Sequence, residues 1–329
     1  MKKAGTASWL AVLFLGGIIF LGAAARWAAP YAPNDENRTL PYHPPAKIHF
    51  RDVQGHWSRP FLYATTPRFD ENNRRFYDED TSRKYPLRFG LCPWLQVDAP
   101  ARLFLLGTDS RGRDLFSRIL YGGRVSLSIG FLGALLAALA GWVIGAISGY
   151  YGGRTDAVLM RLAEFFIMVP GFYFLLALRS ALPPTLGSRD VYLMTILVLS
   201  LIGWGGIARV VRGLVLSLKQ SEFIPAAKIL GRSDVNILCR HVLPHTVPYL
   251  LVLLSVSIPS YIMTESALSV LGLGIQEPDI SWGNLLSESL SVAHLYLRPW
   301  ALFPGLFLCL TAWSFNVLGD TMKQGKGAG

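Results

Sequence analysis

Few residues of this chain have the type and spacing to do chemistry, and most of them lie in or beside strongly apolar sequence. Glu265 falls inside the run "YLLVLLSVSIPSYIMTESALSVLGL", where an ionisable group is costly and commonly functional. Thr264, Ser266 and Ser269 are near enough in sequence to hydrogen-bond it. Two roles stay open for it, a pore-facing or gating group and a satisfied structural carboxylate. Arg161 and Glu164 stand one helical turn apart, which reads as a local ion pair with snorkelling rather than a proton relay. The spacing of His43, His49 and His56 fits no common ligand motif, so these are expected to be surface or packing histidines. Gly107 and Gly112 have the G-x4-G spacing of a phosphate loop, but Arg113 and Asp114 stand where Lys and Ser/Thr are required. Cys92, Cys239 and Cys309 lie far apart without CxxC spacing, so neither a zinc site nor a disulfide framework is expected. The chemistry these residues exclude is therefore clearer than any they supply: no catalytic constellation, no nucleotide site, no metal and no cofactor in this chain.

The elements that must position these residues are membrane spans. The chain has 329 residues, 52% hydrophobic and only 16% charged, with mean hydropathy +0.37. Soluble domains carry about 25% charged residues. Runs of about 20 apolar residues suffice for a helix to cross about 30 Å of hydrocarbon. Trp9 to Ala25, Val125 to Ile147, Val191 to Val211, Tyr249 to Leu273 and Trp300 to Leu318 meet that criterion, and Ala157 to Leu178 is a sixth candidate carrying Arg161 and Glu164 near its start. The expected fold class is an all-α integral membrane protein of about six transmembrane helices. The net charge of +10 fits Lys and Arg gathered beside spans. It does not suggest nucleic acid, because no basic stripe lies on a soluble domain.

The expected organisation is an N-terminal anchor over residues 1–29, an extracytoplasmic insert over 30–105, a transmembrane domain over 106–320 with a loop at 213–245, and a tail over 321–329. The first apolar run exceeds the core of a cleaved signal peptide, so it reads as an uncleaved span, and Lys2 and Lys3 place the N-terminus in the cytoplasm. Both termini then face the cytoplasm. In and beside the loop stand Arg209, Arg212, Lys219, Lys228, Arg232 and Arg240 against Glu222 and Asp234, whereas the short loop after Leu273 is acidic, with Glu277, Asp279 and Glu288. The insert is also basic, but long loops translocate largely regardless of charge. Three spans separate the two segments, so they lie on opposite sides.

Within the insert, "KIHF", "PFLYAT" and "YPLRFG" read as short strands between turn signals, giving a small β-leaning subdomain of irregular outline. In "LGTDSRGRDLFSRILYGGRVSLSIG", Asp109 is the expected N-cap of a helix from Gly112 to Tyr121. Arg111, Arg113, Arg118 and Arg124 would then lie at headgroup level, making an interfacial elbow from Gly107, Asp109, Gly112, Arg113 and Asp114.

The segment "SEFIPAAKILGRSDVNILCRHVLP", residues 221–244, sits between two apolar runs. Ser221 and Pro225 suggest a helix start, Ala226, Ala227, Ile229 and Leu230 continue it, and Gly231 ends it as the left-handed residue. A second helix begins near Ser233 or Asp234 and runs to Pro244. The small pair Ala226 and Ala227 allows close approach of another body.

That segment resembles the EAA signature, E-A-A-x3-G with a downstream I-x-L-P-like end, of ABC importer permease subunits. Three further stretches are similar to signatures of their dipeptide/oligopeptide/nickel subfamily: "LGTDSRGRDLFSRILYGGRVSLSIG", "ESALSVLGLGIQEPDISWGNLL" and "FNVLGDTMK". Together these motifs run from Leu106 to about Lys323. The resemblance implies that the elbow is a coupling helix docking in a cleft of a cytoplasmic ATPase, with Ala226, Ala227 and Gly231 at the contact. Pro225 stands where the family carries Glu, so that side chain's polar contact is either lost or supplied by Glu222 one turn earlier. The subfamily also carries an acid at the position of Glu265.

The resemblance further implies alternating access in an inner-membrane importer of peptides. Its partners would be a second homologous permease subunit, two ATPase subunits that bind ATP and Mg, and an extracytoplasmic substrate-binding protein. This chain would itself be a transport subunit and no enzyme. The insert exceeds what the subfamily minimally carries and reads as a docking surface for the binding protein or the partner permease. The rival reading is an ion-coupled secondary transporter using Glu265 and Glu164, which would call for inverted repeats that the chain does not display. A membrane-anchored enzyme working through the insert would call for a nucleophile–base pair, and none can be picked out.

Overall fold

Hydrocarbon offers no hydrogen-bond partners, so an apolar run must satisfy its own backbone, and a helix does so within one segment. The protein is seen in a computed structural model that describes residues 5–72, 74–90, 94–183, 186–290 and 297–324. Five helical stretches are long and apolar enough to cross a membrane. The first is α1 (Thr6–Ala23), followed by the single turn α2 (Ala25–Ala28). After the strands comes α3 (Leu115–Tyr151), of 37 residues. The sixth candidate span is broken into α4 (Gly153–Met168) and α5 (Gly171–Ala181), bent by 73°. Pro170 explains the break: it disfavours helical geometry at the residue before it, and Val169 is extended at φ −76, ψ 116. The count reaches six only if this bent pair is one span.

The third long stretch is α6 (Ser188–Lys219). Then come the short α7 (Phe223–Ile229) and a 37-residue stretch, Asp234–Val270. That stretch is built from α8 (Asp234–Ile237), a π turn over Leu238–Val242, and α9 (Leu243–Val270). After the short α10 (Trp282–Ser287), a 3-10 turn at Pro299–Leu302 leads into α11 (Phe303–Gln324). Lys2, Lys3, Cys92, Pro184, Thr185, residues 291–296 of the acidic loop and most of the tail lie outside the described residues. The orientation expected from the two lysines therefore rests on sequence.

The chain divides into two compact units, Met1–Phe14 with Leu127–Leu268 and Leu310–Gly329, and Leu15–Ser126 with Ser269–Cys309. The insert shares its unit with residues 106–126 and 269–309.

In the first unit, α3 and α6 meet along a stripe of three glycines spaced four residues apart. A Cβ at Gly141, Gly145 or Gly149 would lie 2.6, 2.3 or 2.8 Å from the carbonyl oxygens of Trp204, Ala208 and Arg212. Lipid tails are as apolar as leucine, so contact of this kind, not hydrophobicity, drives helix association. Across the same α6, a Cβ at Gly205 would come within 2.8 Å of the Ala163 carbonyl of α4.

In the second unit, β1 (His49–Arg51), β2 (Trp57–Phe69) and β3 (Arg75–Pro86) form an antiparallel sheet, and β4 (Arg88–Phe89) pairs with β5 (Leu95–Gln96). The expected strands at "PFLYAT" and "YPLRFG" fall on β2, β3 and β4, and "KIHF" runs into β1. The length of the β2–β3 hairpin was not foreseen. Residues 75–84, "RFYDEDTSRK", are charged and mostly exposed, so burial patterning had little to report. Phe61, Leu62, Leu103 and Phe104 form the interior beside the buried His43. His43 lies 4.6 Å from the Tyr77 ring and 5.3 Å from the Phe104 ring, and its Nε2 bonds the Thr65 hydroxyl at 2.8 Å. His49 pairs with Glu79 at 3.0 Å and His56 with Asp52 at 3.7 Å.

Candidate functional site

In the first unit the loop after α6 is ordered by its own turn chemistry. Pro225 occupies the first turn of α7, where a missing N–H costs nothing. Its N-cap, Glu222, makes no side-chain cap to it. Ile224 and Ala227, three residues apart, turn inward onto a cluster that includes Tyr150, Val211, Val215, Ile237 and Val242. Ala227, expected at a partner contact, is thus only 8% exposed. Glu222, Pro225, Ala226 and Gly231 are exposed.

Gly231 sits at φ +75 with nothing within 4 Å of an added Cβ, so backbone conformation, not space, calls for glycine here. The Arg232 N–H donates to the Ala227 carbonyl and the Gly231 N–H to the Lys228 carbonyl, the paired bonds of a Schellman turn. Ser233 then caps α8, accepting from the Asn236 N–H. The second helix does not stop at Pro244 as expected. It passes through the π turn into α9, because a widened turn makes room for a proline ring that would otherwise crowd the carbonyl four residues back. Around the glycine, Ile229, Leu230 and Val235 are 87, 79 and 63% exposed, an apolar tip of the kind that marks an interaction site.

Two residues that the sequence reading missed hold this loop. The Tyr150 hydroxyl, at the end of α3, donates to Asp234 Oδ1 at 2.6 Å. Lys228 Nζ lies 3.2 Å from the same oxygen, and Lys219 Nζ donates to the Tyr150 carbonyl at 2.7 Å. Lys219 and Lys228 also sit 5.9 and 5.6 Å from the Tyr150 ring centroid, within cation–π range. Asp156 of α4 accepts from both the Arg212 guanidinium and the Ser148 hydroxyl. A tyrosine pair closing a span, "GYYGG", was the available signal, since such rings anchor span ends.

Glu265 is buried at 1% exposure on α9. The Ser266 hydroxyl donates to it at 3.4 Å, whereas Thr264 turns back to the Ser260 carbonyl and Ser269 accepts from the Ile275 N–H. Glu164 pairs with Arg161 at 3.1 Å and lies 3.8 Å from Arg209, which leaves it little to offer a proton relay.

In the second unit the expected interfacial elbow is replaced by a buried ion cluster. Asp109 is not the cap of α3. Its carboxylate accepts from the backbone N–H groups of Arg111 and Arg113, from Arg113 Nε at 2.6 Å and from Arg118 Nη1 at 2.7 Å. Glu277 lies 2.6 Å from Arg113 and 3.0 Å from Arg118, and Glu288 lies 3.3 Å from Arg113. Arg113 and Arg118 are buried, not spread at headgroup level, because three carboxylates neutralise them and buried charge needs such pairing. Arg111 bridges Glu36 and Glu277, and Arg124 donates to the Gly22 and Ala23 carbonyls at the end of α1. The cap of α3 is Asp114, whose Oδ2 accepts from the Ser117 N–H at 2.8 Å and hydroxyl at 2.6 Å, so the helix begins at Leu115. Burial pushes the Asp114 carboxyl up to about 6, while the Ser117 bonds pull the other way. Gly112 takes φ +73 in the turn, and a Cβ there would lie 1.9 Å from the Asn37 carbonyl oxygen. Gly107, at φ +80, is closed similarly by the His43 carbonyl.

Comparison with known proteins adds a sequence match to this geometry. The family model for the binding-protein-dependent transport system inner membrane component matches residues 141–324. The oligopeptide transport system permease protein OppC of Haemophilus influenzae is 40% identical over 244 residues, 73% of this chain and 76% of its own. The dipeptide transport system permease protein DppC of Bacillus subtilis is 39% identical over 219 residues, 66% of each chain. Among solved structures, a chain of the MetNI methionine ABC transporter in an inward-facing conformation aligns with TM-score 0.52 at 15% identity, over 64% of this chain and 97% of that one. At that identity the likeness concerns the fold alone.

Proposed function

We propose a transport mechanism from one premise: this chain belongs to the family of binding-protein-dependent transport system inner membrane components. It is a multi-pass permease subunit of an ABC importer of the peptide-transport kind. On our reading it carries di- or oligopeptides, the substrate class for which its relatives are named. It forms half of the translocation path beside a second permease chain. Two ATPase subunits bind ATP and Mg on the cytoplasmic side, both termini of this chain lie on that side, and a binding protein delivers substrate from the other.

The observation that carries the coupling proposal is the apolar tip around Gly231. A loop that only connected two helices would have no reason to expose Ile229, Leu230 and Val235 together, whereas a cleft in a partner would cover them. The tip is not slack, because Ile224 and Ala227 tie it to the interior and Asp234 ties it to Tyr150. Movement at the tip therefore passes into α3 and α9. Pro225 in place of the family Glu removes a polar contact at the exposed face, and Glu222, also exposed, is placed to supply one. Glu265 we assign as a carboxylate held within the protein, in keeping with its burial and the Ser266 bond.

The test is purification from native membranes in mild detergent, with mass spectrometry of what accompanies the chain and Gly231→Pro alongside. Proline can adopt neither φ +75 nor the Gly231 N–H bond. We expect an ATPase, a second permease and vanadate-sensitive ATP hydrolysis, with the ATPase lost from the variant. A chain that arrives alone, with the variant unchanged, overturns the proposal.

A further inference from the structure

In the second unit a cavity of about 760 Å³ opens between the base of the β2–β3 hairpin tip and the 3-10 turn before α11. Its volume is that of a small-ligand site, and its lining combines two chemistries. Three guanidiniums, those of Arg74, Arg75 and Arg298, border it, and among the described residues none of them is within 4.0 Å of a carboxylate. Among the described residues, the one acid in the lining, Asp78, is turned to Arg68 at 3.6 Å. Arg75 has its Nη1 buried with no hydrogen-bond acceptor among the described residues, an arrangement that normally calls for explanation. Arg298 is stacked 3.4 Å from the Tyr42 ring centroid, and burial lowers its pKa from the ordinary value, so an anion beside it would restore favourable charge.

The second chemistry is aromatic. Tyr42, Tyr77 and Trp300 stand in the same lining and are fixed there by the backbone. The Tyr77 hydroxyl donates to the Pro41 carbonyl at 2.5 Å, and Trp300 Nε1 donates to the Thr108 carbonyl at 3.4 Å. Tyr42 holds φ +56, a conformation uncommon for a residue with a side chain, with its N–H donated to the Asp109 carbonyl. Such outliers collect at ligand sites, where the surroundings over-determine them.

We propose that this cavity binds the C-terminal carboxylate of a short free peptide whose last side chain is aromatic or large and aliphatic. Guanidinium forks match a planar carboxylate with paired N–H donors, and flat aromatic walls receive the apolar side chain beside it. The choice of a peptide rests on the transport reading above, while the pairing of an anion with an apolar body rests on the cavity alone. The site would hold peptide on the permease itself.

The transporter purified with its partners but without the binding protein would be titrated calorimetrically with Ala-Ala-Phe, with the same peptide as its C-terminal amide, and with inorganic phosphate. We expect the free acid to bind at least about tenfold more tightly than the amide, and the double variant Arg75→Gln/Arg298→Gln to lose about the same factor, as paired charge-assisted bonds require. Equal affinity for acid and amide on the unaltered protein overturns the site without any variant. So does binding untouched by the two substitutions, or phosphate that binds as tightly as the peptide. Co-purification of the ATPase is read in the same sample. Absent binding with partners present refutes the cavity and leaves the transport reading standing, and the reverse pattern refutes the transport reading and leaves the cavity.

Discussion

Asp114 and Gly231 illustrate how single residues are set by opposite causes. Asp114 is chosen by position: it caps α3 through Ser117, yet it is buried, and its pKa stands at about 6 against an ordinary 3.8. The folded state thus binds this proton more tightly than the unfolded chain. Its contribution, about 3 kcal/mol for such a shift, is fully present below about pH 4 and is lost as pH rises through about 6. Thermal melts of the chain in detergent should therefore show stability falling between pH 4 and 7. Asp114→Asn, which still caps well, should flatten that slope, and a slope unchanged by the substitution would remove Asp114 from the account. Gly231 is chosen by backbone alone. Gly231→Ala meets no atom but must take a left-handed φ, at a cost of about 1 kcal/mol. Hydrogen exchange across residues 223–237 should rise, while the α3–α6 contact stays protected. For Glu265, burial predicts that Glu265→Gln keeps ATPase association and transport. Association kept with transport lost would identify it instead as a gate.

Elements follow from how closely backbones approach. The stripe Gly141, Gly145 and Gly149 sets the α3–α6 contact, and a side chain at its centre would meet the Ala208 carbonyl at 2.3 Å. Gly145→Val should cost at least the 1–3 kcal/mol typical of overpacking, read as loss of monodisperse protein in mild detergent. Normal yield would mean that the helices can shift apart. At the other end of α3, Tyr150→Phe deletes the hydroxyl bond to Asp234, worth about 1 kcal/mol. It should increase proteolysis at Arg232 without disturbing the spans, and the same cleavage rate in both proteins would separate Tyr150 from the loop.

At the scale of the whole molecule, the insert carries exposed aromatic side chains. Its sheet is integrated through His43 and Tyr77, but Trp57, Phe69, Phe76 and Phe89 are 79, 51, 49 and 81% exposed. Exposed aromatic side chains of that kind suit a protein contact. Trp57→Ser with Phe89→Ser should leave folding and ATPase association intact and reduce transport in membranes, as a docking surface for the binding protein or partner permease requires. Transport at the unaltered rate would remove Trp57 and Phe89 from any docking role.

The sequence by itself determined the membrane class, the five long spans, the family and the glycine-centred turn, because each rests on local physics. Apolar length decides a span, a left-handed residue decides a turn, and motif order survives without any fold. Only the tertiary structure decided the rest. Arg113 and Arg118 read as headgroup arginines until Asp109, Glu277 and Glu288 are seen to gather around them. Ala227 reads as a contact surface until the helix phase turns it inward beside Ile224. The break at Pro170, the continuation past Pro244 and the arginine-lined cavity likewise depend on which neighbours arrive from distant sequence. Ion pairing and burial are properties of neighbours in space, and no spacing along the chain encodes them.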